Sequence, residues 1–186
     1  MASPKGDPTY IKNKDRFFID VARTIGKAST HPKSPGGCII VRDREIIGDG
    51  RSLLTDSKVE VDCVSYAVAA AAKSGTAAIG AVIYTTRYPF STSVFQAHVM
   101  GIRKMIVLAH EWEPYYKDEF RRAARLAREL QMAIEPIYLD EDPRFTRNTY
   151  DRDIDSVLFQ GANPYAPDEY DPNDAETTHD EDTTTL

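Results

Sequence analysis

The 186-residue chain has few cysteines and no long apolar run. Its two cysteines, Cys38 and Cys63, belong to no paired-cysteine motif, so the default expectation is a protein of the reducing cytoplasm. No apolar stretch approaches the ~20 residues that a membrane span requires. The Met-Ala-Ser-Pro start lacks the apolar segment of a signal peptide. The sequence therefore predicts neither membrane insertion nor secretion.

Basic residues are missing from the C-terminal end. Residues 167–186 contain eight acidic residues and neither lysine nor arginine, whereas the rest of the chain holds all 23 basic residues and 21 acidic ones. The net charge of −6 therefore comes from this tail, whose Asp, Thr, Asn and Pro content predicts disorder. Two interpretations stay open: a solubilising end, or a segment that docks on a basic partner or mimics nucleic acid.

The apolar pattern of the remaining residues predicts an α/β domain. The predicted elements are, in order, a helix over 11–28, strands over 37–41 and 45–48, a helix beginning at Asp62 or Cys63, a strand over 81–84, a helix capped by Ser91, Thr92 or Ser93, a strand over 104–108, a helix over 117–130 and a strand over 133–138. Strands joined through a helix are parallel. We therefore expect a five-stranded sheet, a hairpin followed by parallel strands, with flanking helices.

This sheet belongs to a single domain over 11–139, which follows a flexible N-terminus at 1–10. Residues 140–166 contain scattered apolar residues. They are predicted to form a C-terminal extension that packs on the domain or on a neighbouring subunit. The acidic tail over 167–186 completes the chain.

Three short motifs stand in an order that is typical of one family. An alanine-rich helix follows Asp62, Thr86-x-x-Pro89 follows the next strand, and Gly101-Ile102-Arg103-Lys104 follows the next helix. Over residues 15–139 this order resembles the zinc-dependent cytidine and deoxycytidylate deaminase superfamily, and the final strand resembles its deoxycytidylate branch. The resemblance implies a three-layer α/β/α fold with two helix N-termini at one pocket. There His, Cys and Cys ligands hold zinc, and a glutamate transfers protons.

The first family motif, His-Ala-Glu or Cys-Ala-Glu, is altered in this chain. In one register Asp62, Cys63 and Val64 stand at its three positions. In a register shifted by one residue, Cys63 takes the ligand position and Ser65 takes that of the glutamate. Neither register contains a glutamate, so the proton-transferring group that the resemblance implies is missing.

The second family motif, Pro-Cys-x-x-Cys, is altered as well. Phe90 and Ser93 stand at its two cysteine positions, and neither is an ordinary zinc ligand. We therefore predict that the zinc-hydrolytic mechanism is lost, with no metal and no cofactor.

Several residues near the expected pocket are candidates for ligand binding. Arg51 and Ser52 stand where the family has an asparagine that contacts the substrate sugar, and an exposed arginine is the alternative interpretation. Phe90 either stacks on a base together with Tyr84 and Tyr88, or fills the space of the missing metal. The remaining candidates are Lys33, in a loop over 29–37 expected to be exposed, together with Thr86, Tyr88 and Ser91.

Three functions compete on these observations. The first is a catalytically inactive deoxycytidylate-deaminase-like protein that serves as a nucleotide-binding, regulatory or assembly subunit. It would form a homo- or hetero-oligomer, including one with an active deaminase subunit. The second is an enzyme on a nucleotide or nucleobase with a rebuilt pocket and Cys63 as nucleophile. The third is an active deaminase with an atypical metal site at Asp62 and Cys63. The sequence leaves nucleic-acid binding open.

Overall fold

The computed structural model describes residues 8–108 and 116–137, with side chains from Lys14 onward. Predictions for residues 1–7, for the extension over 140–166 and for the acidic tail over 167–186 lie outside the described residues. Among the helices of the described part, none is long and apolar enough to cross a membrane.

Four helices and seven strands form the described part of the chain. In order they are α1 (Pro8–Gly26), β1 (Gly37–Arg42), β2 (Glu45–Arg51), β3 (Leu53–Leu54), β4 (Glu60–Val61), α2 (Cys63–Lys73), β5 (Val82–Thr85), α3 (Ser91–Val99), β6 (Lys104–Leu108), α4 (Lys117–Glu129) and β7 (Ala133–Ile137). The small antiparallel pair of β3 and β4 was not predicted, because two-residue strands are too short to show an alternating pattern.

The main sheet has five strands in the order β2-β1-β5-β6-β7. Strand β1 is antiparallel to both β2 and β5, whereas β5, β6 and β7 run parallel to one another. This arrangement confirms the predicted hairpin followed by parallel strands. It places the carboxyl ends of the parallel strands at one edge of the sheet, where ligand sites of such sheets are commonly found.

The two faces of the sheet carry different helices. Ile39, Tyr84 and Ile106 lie side by side on one face and pack against Phe18 and Ile19 of α1. Alternate strand residues point to the opposite face, where they pack with buried residues of the other three helices. The residues of this second core include Ile40, Ile83, Met105, Val107, Val64, Val68, Val94, Ala97, Phe120 and Ala124. The predicted three layers are therefore confirmed.

Helix α2 lies close to β2 because two glycines of that strand face it. A Cβ atom on Gly50 would overlap the carbonyl oxygen of Cys63 and the amide nitrogen of Ala67, and one on Gly48 would crowd Ala71. The absence of these side chains lets the backbone of α2 rest on the strand. The N-terminus of α2 is thereby held next to the end of the hairpin.

Candidate functional site

The N-termini of α2 and α3 meet beside the carboxyl end of β5, and Asp62 joins them. Asp62 is the N-cap residue of α2, with an extended backbone, and its Oδ1 accepts a hydrogen bond from the Val64 amide at 3.2 Å. Aspartate is a preferred N-cap because its carboxylate satisfies an otherwise unpaired amide of the first turn. This contact explains why α2 begins at Cys63.

The same carboxylate also binds the beginning of α3. Its Oδ2 accepts hydrogen bonds from the Phe90 amide at 3.4 Å and, in a short contact, from Ser93 Oγ. The Oγ atoms of Ser93 and Ser65 are 2.8 Å apart. Asp62 is 4% exposed and Ser93 is fully buried. Buried polar groups at this junction therefore satisfy one another across the two helices.

Helix α3 is capped by a residue from another helix. The predicted cap at Ser91, Thr92 or Ser93 is wrong, because the N-cap position falls on Phe90, which has no capping oxygen. Glu119 of α4 takes this role, since its Oε1 accepts from the amide and the Oγ of Ser91, both at 2.7 Å. The carboxylate also complements the positive end of the helix dipole.

The contacts of Glu119 lower its pKa. Partial burial by itself would raise the pKa of this carboxyl, but the hydrogen bonds from Ser91 and the nearby Arg122 guanidinium outweigh that effect. Arg122 lies 2.6 Å from Glu119 Oε2. Glu119 is therefore ionised at neutral pH, as a helix-capping role requires.

Cys63 is the first residue of α2 and is fully buried. Burial first, and then the Asp62 charge, raise the pKa of its thiol far above the usual range. Its Sγ lies 3.5 Å from Thr85 Oγ1. A nucleophilic cysteine needs thiolate character and access to substrate, and this thiol has neither feature.

A second polar cluster surrounds the side chain of Arg87, which is 5% exposed. Arg87 Nη1 donates to the Ser34 carbonyl at 3.2 Å and lies 3.6 Å from Glu60 Oε1. The Tyr116 hydroxyl donates to both Glu60 oxygens, at 3.0 and 2.8 Å, and His31 Nε2 is 3.4 Å from Oε1. This cluster links the loop after α1, strand β4, the turn after β5 and the start of α4.

The ligand candidates occupy different environments. Ser52 is fully buried, and its Oγ lacks a hydrogen-bond partner among the described residues. Lys33 is exposed, and Arg51 is half-buried with its guanidinium 5.8 Å from the Tyr66 ring centre. Thr86 is buried, and its Oγ1 accepts a hydrogen bond from the Gly37 amide at 2.9 Å.

Two expectations about this region are wrong. Tyr84 and Tyr88 do not present their rings for stacking on a base, because both are almost fully buried, and Tyr88 packs on Phe120 with ring centres 5.5 Å apart. The loop over 29–37 is not simply exposed, since His31 and Ser34 are buried. Both differences arise from partners distant in the sequence.

Sequence reasoning missed the contributions of four residues, namely Glu60, Arg87, Tyr116 and Glu119. Arg87 could have been noticed, because it is a charged residue inside the Thr86-x-x-Pro89 motif. Glu119 gave no local signal, since it lies 28 residues from the amide that it caps. Of the predicted positions, the structure brings Asp62, Phe90 and Ser93 together.

The sequence matches no protein-family model and no curated protein. Solved structures nevertheless share the fold. The dCMP deaminase from cyanophage S-TIM5, in apo form, matches with a TM-score of 0.56 and 15% identity, over 73% of this chain and 100% of that one. RibD from Acinetobacter baumannii matches with a TM-score of 0.52 and 20% identity, over 67% of this chain and 35% of that one.

A third structure is a diaminohydroxyphosphoribosylaminopyrimidine deaminase/5-amino-6-(5-phosphoribosylamino)uracil reductase from Thermotoga maritima. It matches with a TM-score of 0.56 and 15% identity, over 79% of this chain and 40% of that one. The present chain thus spans less than half the length of these last two proteins. Sheet order, flanking helices and these similarities together establish that the chain has the cytidine-deaminase-like α/β fold.

Proposed function

We propose that this chain is a catalytically inactive, deoxycytidylate-deaminase-like protein that acts as an assembly or regulatory subunit. One observation carries the proposal. Ser93 Oγ donates a hydrogen bond to Asp62 at the junction of the two helix N-termini, where the fold family would hold its zinc ion. The bond joins two of the three positions from which metal ligands would come.

The residues at this junction do not fit zinc. A tetrahedral site requires thiolate, imidazole or carboxylate ligands, whereas two of the three positions hold Phe90 and Ser93. The third position holds Asp62 or, in the shifted register, Cys63. Both oxygens of Asp62 already accept hydrogen bonds from the protein. In residues 8–108 and 116–137, no three His, Cys, Asp or Glu side chains gather in a group that could bind a metal.

The environment of the proton-transferring position also supports inactivity. Val64 stands there in the register that has Asp62 at the ligand position, and it is fully buried in the core. A valine cannot accept or donate a proton, so general acid–base chemistry has no group at this point.

An apolar surface that is exposed in the described part of the chain supports a role in assembly. A groove of about 340 Å³ runs between α2 and α3, and we call its lining the α2–α3 face. The face consists of Ser65, Val68, Ala69, Ala72, Phe95, Gln96, Val99 and Met100. Phe95 and Val99 are 54% and 68% exposed, respectively. Large apolar side chains grouped on one surface are typical of a protein contact.

A second copy of this chain suits the α2–α3 face. The face carries the exposed side chains of Phe95 and Val99 beside alanines, so two copies related by a two-fold axis would bury these apolar side chains against each other. None of its residues is charged. The contact itself would therefore place no like charges together, although the whole chain carries a net charge of −6.

Ser52 supports a second form of the proposal, the binding of a nucleotide without turnover. Its Oγ is buried and has no hydrogen-bond partner in the part of the chain that the structure describes, and an unsatisfied buried hydroxyl is unfavourable. The resemblance assigns this position to contact with a substrate sugar. A ribose or deoxyribose hydroxyl would satisfy it after a rearrangement that opens this position, because Ser52 is fully buried in the present structure.

These proposals are tested with the full-length chain. Purified protein is incubated with dCMP, with and without added zinc, and conversion to dUMP is measured. Light scattering measures the mass of the protein particle in solution. Calorimetric titration measures the binding of dCMP to the chain. We expect no conversion and a dimer mass. Turnover at enzymatic rates would overturn inactivity, and a monomer at high micromolar concentration would overturn self-association. Heat on titration that is lost in Ser52→Ala would support the nucleotide-binding form, and no heat would exclude it.

A further inference from the structure

The guanidinium of Arg87 is held in the way that a receptor holds a bound ligand. Its central carbon lies 5.0 Å from the ring centre of Tyr116 and 5.8 Å from that of Phe90. Nη1 faces the Glu60 carboxylate at 3.6 Å and donates to the Ser34 carbonyl at 3.2 Å. Aromatic faces, a carboxylate and a carbonyl are the groups that recognise a planar delocalised cation.

The groups around this cation are also fixed by contacts that do not involve Arg87. The Tyr116 hydroxyl donates to both oxygens of Glu60, and His31 Nε2 approaches the same carboxylate at 3.4 Å. The other ring nitrogen of His31 accepts a hydrogen bond from the Ser34 amide at 2.9 Å, which anchors that loop. These contacts do not depend on Arg87, so they can persist when its side chain is removed.

The backbone of Arg87 is held separately from its side chain. The backbone of Arg87 is held by Thr85, whose Oγ1 accepts from the Arg87 amide at 3.3 Å and donates to its carbonyl at 3.0 Å. Gly36 leaves room for the arginine stem, because a Cβ there would lie 2.7 Å from Arg87 Cδ. Removal of the side chain leaves the surrounding backbone anchored.

We propose that Glu60, Phe90, Tyr116 and the Ser34 carbonyl form a binding site for a planar guanidinium or amidinium cation, and that Arg87 occupies it as an internal ligand. The Arg87 side chain in this site connects four segments of the chain: the loop after α1, β4, the turn after β5 and the start of α4. The site excludes an external cation as long as Arg87 is in place. This inference holds independently of whether the chain hydrolyses a base.

The test is chemical rescue of full-length Arg87→Ala by guanidinium chloride at low millimolar concentration, with sodium chloride at the same ionic strength as reference. Arg87→Ala should melt below the wild type. Guanidinium should raise its melting temperature saturably, by about 3–6 °C at tenfold excess over the dissociation constant. Wild type and the matched control Arg103→Ala, which removes an exposed arginine, should show only the slight decrease that a denaturant causes.

Two further outcomes are decisive. If Arg87→Ala is unfolded in buffer, guanidinium should restore its near-ultraviolet circular dichroism, and failure to do so would overturn the proposal. Addition of Glu60→Gln to Arg87→Ala should abolish the rescue, because the site loses its carboxylate. Equal rescue in that double variant, or a decrease in the melting temperature of Arg87→Ala like that of the wild type, would also overturn it.

Discussion

Helices α2 and α3 present two contrasting regions, their N-terminal junction and their outer flank. At the junction, Asp62 and Ser93 are buried and bonded to each other, and Glu119 caps Ser91. At the flank, Phe95 and Val99 are largely exposed beside an apolar groove.

The difference is the physical basis of the proposed assembly role. Polar groups already hydrogen-bonded inside the protein gain little from a ligand, since binding would first have to break those bonds. Exposed apolar side chains gain about 25 cal/mol for each Å² that a partner covers. We therefore expect the junction to have a structural role and the flank to make the proposed contact.

Replacement of Asp62 should give the largest effect. Asp62→Ala removes the acceptor for the Val64 and Phe90 amides and for Ser93 Oγ. We expect the free energy of unfolding to fall by about 2–4 kcal/mol, since a helix cap is lost and buried donors are left unpaired. Urea denaturation followed by circular dichroism measures this change.

Asp56→Ala is the matched control, because Asp56 is exposed in the turn between β3 and β4. It should change the free energy of unfolding by no more than about 0.5 kcal/mol. If Asp62→Ala lowers the free energy of unfolding no more than this control does, the carboxylate does not hold the junction together. The structural role assigned to it would then be wrong.

A smaller and pH-dependent effect is expected for Glu119. Its pKa is lowered in the folded protein, so its ionised form adds stability above the ordinary carboxyl pKa, and this stability is lost as the pH falls through the lowered value. Glu119→Gln should therefore be less stable than the wild type at pH 7. The difference should shrink below about pH 4, the ordinary range of a glutamate pKa.

Urea denaturation at pH 7, 5, 4 and 3 measures this difference. Asp118→Asn is the control, since Asp118 belongs to the same turn of α4 but its side chain is 83% exposed in its pair with Arg121. Its stability difference from the wild type should be close to zero throughout. A Glu119→Gln difference that is constant with pH would show that the carboxylate charge does not stabilise the start of α3.

Substitutions on the flank should have the smallest effect on the free energy of unfolding. They should nevertheless change the mass of the particle in solution. Phe95→Ser combined with Val99→Ser removes the two projecting side chains of the α2–α3 face. We expect dilute samples to keep their free energy of unfolding within about 0.5 kcal/mol of the wild type. Light scattering of concentrated samples should change from the dimer mass to the monomer mass.

Val59→Ser is the control for this experiment, because Val59 is also exposed, at 57%, but lies outside the α2–α3 face. It should leave the dimer intact. Dissociation by Val59→Ser, or a dimer that survives the double substitution, would place the contact elsewhere on the molecule.

The overall fold could be predicted from the sequence because its elements have regular patterns. The apolar runs of β1, β5 and β6 and the alanines of α2 are local signals, and a helix between two strands fixes a parallel pair. Asp62 could also be predicted as a helix start, since a carboxylate next to an apolar helical segment is a typical N-cap.

The arrangement of the site depends on contacts that no local pattern records. Glu119 caps α3 from α4, and Glu60 approaches Arg87 from a two-residue strand. The burial of Tyr88 likewise depends on Phe120, which belongs to a later helix. Such pairs form only when the sheet and helices have assembled. A single sequence therefore gives the residue types but does not show which residues come into contact.

The zinc content of the purified chain, expressed with added zinc, tests whether the junction has lost its metal site. A variant that combines Asp62→His, Phe90→Cys and Ser93→Cys serves as the positive reference, because it supplies the ligand types that a tetrahedral site requires. Elemental analysis should find stoichiometric zinc in this variant and none in the wild type. Stoichiometric zinc in the wild type would contradict the account.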